Sequence, residues 1–306
     1  MLDALTLDQI RTFVTIADSG SFRSAAQKLS RVQSGVSATI ANLEVTLGVE
    51  LFDRSGYKPA LTPQGKVLLG NARDIILRVD VLRAQAHGFA HGVETELAIS
   101  VDTLFPMQEV ARAISRMRHD YPAVAVRVWS EAMGGPLDAL RTSRCALAVM
   151  VGEDFRDPRI KFEPLISISQ VAVVASSHPL ALCHAGQQLE LMDVADHLQI
   201  VLTDPSDISA GRDFGVVSSQ TCRVNSQDTK HHLILGGAGW GGRLPHWLVE
   251  RDLEQGTLVR LNVSAIGRNG EITSGAYLAH RRDEALGPAA QKLADLLISH
   301  ETGVVF

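Results

Sequence analysis

The chain has 306 residues, 45% of them hydrophobic and only 5% aromatic, and carries a formal net charge of −5; this excludes a small disulfide-built or disordered chain and favours two or three compact units filled by Leu, Val, Ile and Ala. Residues 1–92 hold 10 Lys and Arg against 8 Asp and Glu, and residues 93–306 hold 19 against 26, so a mildly basic front, compatible with nucleic acid, precedes an acidic remainder. Cys145, Cys183 and Cys222 lie far apart without a CxxC pair, the N-terminus lacks a leader pattern, and no window nears ~18 uninterrupted apolar residues, so the expectation is a cytoplasmic protein with reduced thiols and no membrane contact.

In chain order, residues 4–18 have amphipathic helical spacing, with Leu7, Ile10, Val14 and Ala17 inward and the turn Asp18-Ser19-Gly20 closing the segment. Ser21 suits the N-cap of a second helix over 22–29, whose Ala25-Ala26 pair lets a neighbouring helix come close. The stretch RVQSGVSATIANLE (31–44) opens a third helix, with Val36, Ile40, Leu43 and Leu47 as its buried stripe. Its far side carries Ser34, Ser37, Ala38, Ala41 and Asn42, all slim, where a solvated helix would show Lys and Glu. Three short helices with a tight turn form a helix-turn-helix, which lays its third helix in a DNA major groove. Short side chains there let the backbone approach base edges and phosphates. Taken alone, the segment also fits an ordinary packed helix with a bland outer face.

GVELFDRSGYKPALTP (48–63) contains two β-prone pieces, Leu51-Phe52 and Ala60-Leu61, and reads as a two-stranded wing. Arg54, Lys58 and Lys66 would then lie beside the third helix, either reaching phosphates or a minor groove or standing as solvated charges. Thr62 and Pro63 supply the N-cap and first position of a long helix. On it Leu68, Ala72, Ile75, Val79, Leu82, Ala86 and Phe89 follow the 4–3 spacing of a coiled-coil seam. The reading is a winged helix-turn-helix over 1–62, all-α in its core, and a linker helix over 63–92 that forms a homodimer through 63–91. Packing on the chain's own domain is the competing reading. His87 and His91 are spaced i, i+4 but have no third ligand, so no metal is expected.

After Gly92 strands alternate with helices. ELAISV (96–101), VAVRVW (124–129) and CALAVMV (145–151) are strands, separated by helices over 106–118 and 137–142. A similar set follows with SQVAVVAS (169–176), LQIVLT (198–203), TCRVN (221–225) and LVRLN (258–262), and the chain returns through AYLAHRR (276–282) to a helix over 288–299. Two Rossmann-like α/β lobes, joined by crossovers near 162–167 and 265–275, are the economical assembly: lobe I over 93–163 and 267–306, lobe II over 164–266. A small ligand would bind between them, at the strand carboxyl ends.

The run AAQKLSRVQSGVSATIANLEVTLGVELFDRSGYKPALTPQGK (25–66) resembles the DNA-binding region of LysR-type transcriptional regulators, matching the pattern AA, Q-S-x-V-S, I-x-x-LE, LG, LF-x-R and LT-x-x-G in order and spacing. VAVVASSHPLA (171–181), LILGGAGWGGRLP (233–245) and YLAHRRDEALGPAAQKL (277–293) are similar to that family's effector domain, which has the periplasmic-binding-protein-like fold. The resemblance implies a bacterial, cytoplasmic regulator that binds a palindrome in promoter double-stranded DNA, assembles as a homotetramer, responds to a small-molecule effector between its lobes, and admits contact with RNA polymerase. Carried over, Gln33, Ser34, Ser37 and Ala38 occupy the base-edge and phosphate positions, with Arg31, Asn42, Arg54 and Lys58 beside them. Ser34 and Ala38 stand where many relatives have Pro and Arg. The missing Arg removes a potential guanine contact, typically worth ~1–3 kcal/mol of discrimination.

GGAGWGG (236–242) has the form G-x-G-x-x-G but the wrong surroundings for a dinucleotide fingerprint. A helical stretch (229–235) precedes it and the extended Arg243-Leu244-Pro245 follows, whereas the fingerprint needs a strand before and a helix after. No catalytic triad order appears. No cofactor is expected, and an enzyme with a DNA-binding head or an unregulated solute-binding module are the alternatives set aside. From topology and the resemblance, the effector contacts are expected at Asp102, Thr103, Glu131, Thr203, Asp204, Asn225, Ala238 and Trp240. Trp240 either caps the ligand or packs as core. Asp102, Glu131 and Asp204 either bring negative charge that disfavours a dianionic acid or serve as helix caps.

Overall fold

The structure is a computed structural model and describes residues 5–53, 59–90, 92–183, 187–209, 212 and 214–299, with backbone alone at 81, 84–90 and 183. Arg54, Lys58 and His91 lie outside the described residues, as do the side chains of Ala86, His87, Phe89 and Cys183. The chain divides into two compact units, residues 1–87 and 88–306.

The first unit begins with α1 (Leu7–Ser19), α2 (Phe22–Lys28) and α3 (Gln33–Leu47). Thr6 and Gln9 close a reciprocal capping box on α1, and Gly20 ends it in the left-handed conformation. Ser21 caps α2 by accepting the Ser24 N–H at 3.1 Å. The inward stripe of α1 differs from the one expected: Phe13 and Ile16 join Ile10 in the core, whereas Leu7 is half exposed and Val14 and Ala17 sit at its margin. Phe13 carries the larger apolar surface, and burying it rotates the helix by about one residue.

Phe52 centres this core. Its ring meets Phe13 edge-on at 5.6 Å and Phe22 at 5.5 Å. It stands on β1 (Phe52–Asp53), which pairs antiparallel with β2 (Ala60–Leu61) as the expected wing. The long helix α4 (Pro63–Ala90) follows, with Thr62 Oγ1 accepting the Gly65 N–H at 2.9 Å. The seam expected on α4 divides. Leu69 and Ala72 are buried in the helix-turn-helix core, and Leu68 and Ile76 pack against it, so the first turns serve the chain's own domain. Ile75 and Leu82 face outward, as do Val67 and Leu77.

The second unit runs β3 (Glu96–Asp102), α5 (Met107–Asp120), β4 (Ala125–Glu131), α6 (Gly135–Arg141), β5 (Leu147–Val151), β6 (Ile160–Ala175), α7 (Pro179–Cys183), β7 (Gln188–Leu189), α8 (Leu191–Ala195), β8 (Gln199–Leu202), β9 (Thr221–Val224), α9 (Gln227–Leu235), β10 (Trp240–Pro245), α10 (His246–Gln255), β11 (Leu258–Arg260), β12 (Asn262–Val263), β13 (Glu271–Arg281) and α11 (Pro288–Ile298). Strand order is β4-β3-β5-β13-β6-β10-β8-β9, with β11 also on β6. β3 pairs parallel with β4 and β5, and β8 pairs parallel with β9 and β10. These parallel sets are the two α/β lobes.

The crossovers expected near 162–167 and 265–275 take another form. β6 is unbroken for 16 residues and pairs antiparallel with β13 from Ile160↔Arg281 to Val171↔Glu271. At ~3.3 Å per residue such a strand spans roughly 50 Å, so one ladder belongs to both lobes. The second half of the glycine-rich run is strand: β10 starts at Trp240, directly after Gly239. A Cβ on Gly239 would lie 2.2 Å from the Leu198 carbonyl oxygen, so glycine lets β10 press against the start of β8. No helix follows these glycines until His246, contrary to a dinucleotide fold.

Gly65 carries a prediction. Alanine normally favours a helix over glycine by ~1 kcal/mol, yet a Cβ here would stand 2.2 Å from the Leu51 carbonyl oxygen. Gly65→Ala is therefore expected to destabilise the first unit by roughly 1–3 kcal/mol. Hydrogen exchange should quicken in peptides covering α1 to β1; unchanged or slower exchange would contradict the packing described.

Candidate functional site

Two surfaces combine exposure with chemistry, one in each unit. On α3, Val36, Ile40 and Leu43 are buried, and Gln33, Ser34, Ala38, Ala41 and Asn42 are exposed on the other side, with Ser37 half-buried at its edge. The face is slim and uncharged. Glu44, the single acidic residue of α3, is turned away: its Oε1 accepts the N–H groups of Leu51 at 2.8 Å and Phe52 at 3.2 Å, tying the helix to the wing. The N-terminus of α3 has Val32 at the cap and no side-chain cap bond, which leaves first-turn N–H donors available to an anion such as a phosphate.

Arg31, expected beside the recognition helix, is paired within the unit. Its guanidinium makes a bidentate pair with Asp8, both N···O distances 2.8 Å. That pair holds the Asp8 carboxyl below the usual range and the Arg31 guanidinium above its own. Arg31 thus fastens the start of α3 to α1 and acts on the slim face by positioning it. Lys66 is exposed at the first turn of α4.

In the second unit a cleft of about 700 Å³, mouth included, opens between the lobes. Lobe I contributes Asp102 at the end of β3 with Thr103 and Leu104 after it, Met133 before α6, and Val151 at the end of β5 with Gly152, Asp154 and Phe155 after it. Lobe II contributes Gln199 and Val201 of β8, Gln227 and Lys230 of α9, and Gly242 and Arg243 of β10. Gln170 and Ser274, bonded to each other at 2.9 Å, come from the shared ladder. Asp102, Gln170, Gln199, Gln227 and Lys230 are all buried, an expensive concentration of polar side chains in one cavity.

The charged groups show that cost. Lys230 Nζ donates to the Gly242 carbonyl at 2.5 Å, and burial, with nearby Arg243 adding to it, pushes the ammonium down to about 7. Burial pushes Asp102 up to about 7, opposed by backbone hydrogen bonds from Leu104 and Val151 and reinforced by the Asp204 carboxylate. Gln227 Oε1 and Thr103 Oγ1 are buried without a hydrogen-bond partner in the protein. Two lining residues hold left-handed backbone, Met133 with φ 55° and Arg243 with φ 57°. At Arg243 this coincides with an irregularity in the β10–β6 register between Gly241 and Leu244, which re-aims the side chain.

The lobes touch beside the cleft. Asp204 Oδ2 accepts the Gly134 N–H at 3.2 Å, the rings of Phe155 and Phe214 lie 5.4 Å apart, and Trp247 Nε1 donates to the Leu104 carbonyl at 2.9 Å.

Of the effector residues expected from topology, Asp102 and Thr103 line the cleft. Glu131 is held by Ser100 Oγ and Arg144, both at 3.0 Å, and Asp204 caps backbone at Gly134 and Ser206. Thr203, Asn225 and Ala238 are exposed and stand off the lining. Trp240 is fully buried among Ala172, Leu189 and Ile266, so it is core rather than a lid. Sequence reasoning missed Gln227, Lys230 and Arg243. A lysine in the buried turn of a short helix, three residues after a glutamine, was the available signal.

Among the described residues no helix is long and apolar enough to cross a membrane, and no group of three or more His, Cys, Asp or Glu could hold a metal ion.

Comparison with known proteins places both surfaces. The family model "Bacterial regulatory helix-turn-helix protein, lysR family" matches residues 7–66, and "LysR substrate binding domain" matches residues 90–301. The chain is 31% identical over 294 residues, 93% of its length and 94% of the relative's, to the uncharacterized HTH-type transcriptional regulator YeeY of Escherichia coli. It is 26% identical, over 95% of each chain, to the transcriptional regulator AceR of Acinetobacter baumannii. Among solved structures it is similar to hydrogen-peroxide-bound OxyR C206S of Corynebacterium glutamicum, with 25% identity, TM-score 0.51 and coverage of 95% and 93% of the two chains. It shares the fold of full-length LysG of Corynebacterium glutamicum with its effector Arg bound, with 23% identity, TM-score 0.50 and coverage of 96% and 97%. These relatives are regulators, not enzymes.

Two predictions follow from the buried groups. Asp102 binds its proton more tightly folded than unfolded, so its contribution to stability falls as pH rises from its ordinary 3.8 to about 7; Lys230 binds its proton less tightly folded, so its contribution improves from about 7 towards its ordinary 10.5. Together they depress stability near pH 7, and Asp102→Asn is expected to flatten the fall between pH 5 and 7 in urea titrations; a slope equal to that of the parent protein would contradict this. Burial also pushes the Cys145 thiol up to about 12. Iodoacetamide at pH 8 should spare Cys145 in the native protein and modify it after unfolding, as read by peptide mass; rapid native labelling would contradict the burial.

Proposed function

The chain belongs to the LysR-type family of DNA-binding transcriptional regulators, and from that premise we propose that α3 and the wing read a promoter palindrome while a small molecule in the interlobe cleft controls the outcome. The observation that carries the DNA half is the slim, uncharged, exposed face of α3, from Gln33 and Ser34 to Ala38 and Asn42, with Glu44 turned away into the wing. Such a face lets the helix backbone sit deep in a major groove. The N–H groups of Gln33 and Ser34 at the start of α3 suit a phosphate, and Lys66, with Arg54 and Lys58 from the sequence between β1 and β2, adds sequence-independent attraction.

With Ala38 where a base-reading Arg would stand, discrimination falls to Gln33, Ser34, Ser37 and Asn42 and to the shape of the DNA. A palindrome needs two copies. The exposed apolar side chains of α4, Val67, Ile75, Leu77 and Leu82, supply a surface for a homodimer through 63–91, and a tetramer would pair two such dimers. Contact with RNA polymerase and residence in the cytoplasm complete the proposal.

The test uses DNA fragments selected by the purified full-length chain from its own genome. Ser37→Glu, which sets a carboxylate against the duplex, is expected to weaken retention of the selected fragment roughly tenfold or more at moderate salt, further than Ser37→Ala does, with circular dichroism unchanged in both. Equal retention by Ser37→Glu would remove α3 from the DNA interface.

A further inference from the structure

The cleft divides its charges by wall. Lobe II presents cations: Lys230, buried, and Arg243, re-aimed by the irregular strand that bears it. Gln227, on the same face of α9 one turn before Lys230, lies in the helix's first turn, where the backbone also favours negative charge. Lobe I presents carboxylates: Asp102, buried at the end of β3, and Asp154, exposed at the mouth. Neither wall is satisfied from within. Lys230 spends one of its three donors on Gly242, while Gln227 Oε1 on one side and Thr103 Oγ1 on the other have no partner in the protein. Charges kept buried and separated in this manner are costly unless something completes them.

Resting on the reading of the cleft as the effector site, we infer that the effector is a small zwitterion, an α-amino acid or a close analogue, whose carboxylate meets Lys230 and Arg243 on lobe II and whose ammonium meets Asp102, Asp154 and Thr103 on lobe I. A dicarboxylate would place its second anion against Asp102 and Asp154. A simple amine would leave Lys230 and Arg243 facing each other unneutralised. A zwitterion complements both walls at once, and its ammonium carries N–H donors of the kind the two unpartnered oxygens, Gln227 Oε1 and Thr103 Oγ1, lack.

The experiment is calorimetric titration of the full-length protein with the twenty proteinogenic L-amino acids and succinate, then with the N-acetyl form and the decarboxylated amine of any amino acid that binds. At least one amino acid should bind, and losing either charge should weaken binding thirtyfold or more. Asp102→Asn should weaken the amino acid but leave the weak N-acetyl form unchanged, and Lys230→Gln should do the same with respect to the amine; circular dichroism reports folding. Equal binding of the N-acetyl form or the amine, or binding of succinate with none of the amino acids, overturns the zwitterion, as does no binding at all. Thr103→Tyr, which adds bulk to the wall, separates the two levels. A succinate signal that Thr103→Tyr abolishes removes the zwitterion and keeps the cleft, whereas an amino-acid signal that Thr103→Tyr leaves intact removes the cleft itself and the inference with it.

Discussion

The antiparallel ladder of β6 with β13 is the constraint from which the second unit's architecture follows. Because the two strands pair from Ile160↔Arg281 to Val171↔Glu271, they cannot belong to one lobe alone. The parallel set β3, β4 and β5 attaches at the Arg281 end through β5, and the β8 to β10 set attaches at the Glu271 end through β10. The carboxyl ends of β3 and β8 thus open on the same space, with Gln170 and Ser274 of the ladder as its floor. A cleft at the ends of two parallel sheets is the general place for a small ligand in α/β folds. Here a continuous hydrogen-bonded ribbon runs through both lobes beneath that place.

The first unit solves another problem, presenting a helix with almost nothing large on its outer side. α3 has a strong inner stripe and no charged outer residues to hold it in solution, so its position depends on neighbours. Ala25 and Ala26 let it approach α2, Phe52 meets Phe13 and Phe22 edge-on beneath it, Glu44 binds the wing backbone, and the Arg31–Asp8 pair fixes its start. The Arg31 pair is exposed and adds little to stability; its value is geometric. Gly65 matters for the same reason, since only a glycine lets the first turn of α4 close over Leu51.

What could be read in the sequence followed from local periodicity. Helix α3, the Ser21 cap of α2, the wing and most strands declared themselves through spacing and turn chemistry. The long ladder did not, because residues 162–167 mix polar with apolar side chains and look like a connection; they are strand because β13 pairs with them, a partner about a hundred residues away. The same non-local cause hid half of the site. Asp102 and Thr103 follow a strand end that any α/β reading would select. Lys230 stands in a helix whose one-sided burial depends on β8 and β10, and Arg243 points into the cleft only because β10 is irregular where it passes β6. Trp240 misled for the converse reason: an aromatic among glycines suggests a loop, but those glycines allow a strand to pack, and the indole fills the core behind it.

The split of charge between the walls bears on how a ligand could act at all. A small molecule shifts a conformational equilibrium only by its difference in affinity for the two states. One held by Lys230 and Arg243 alone would bind lobe II equally well with the lobes together or apart, and would shift nothing however tight it was. One that also engages Asp102 and Thr103 binds only when both walls are near, and so favours the arrangement in which Asp204 reaches the Gly134 N–H and Phe155 meets Phe214. The same argument explains the placement of Gly134 and Gly135. A Cβ on Gly134 would stand 2.5 Å from Ser206 Oγ, and one on Gly135 3.0 Å from Pro205. Space at this seam is left for the side chains of Asp204, Pro205 and Ser206 to meet the backbone of Gly134 and Gly135, so that the lobes come close enough for a single small molecule to touch both.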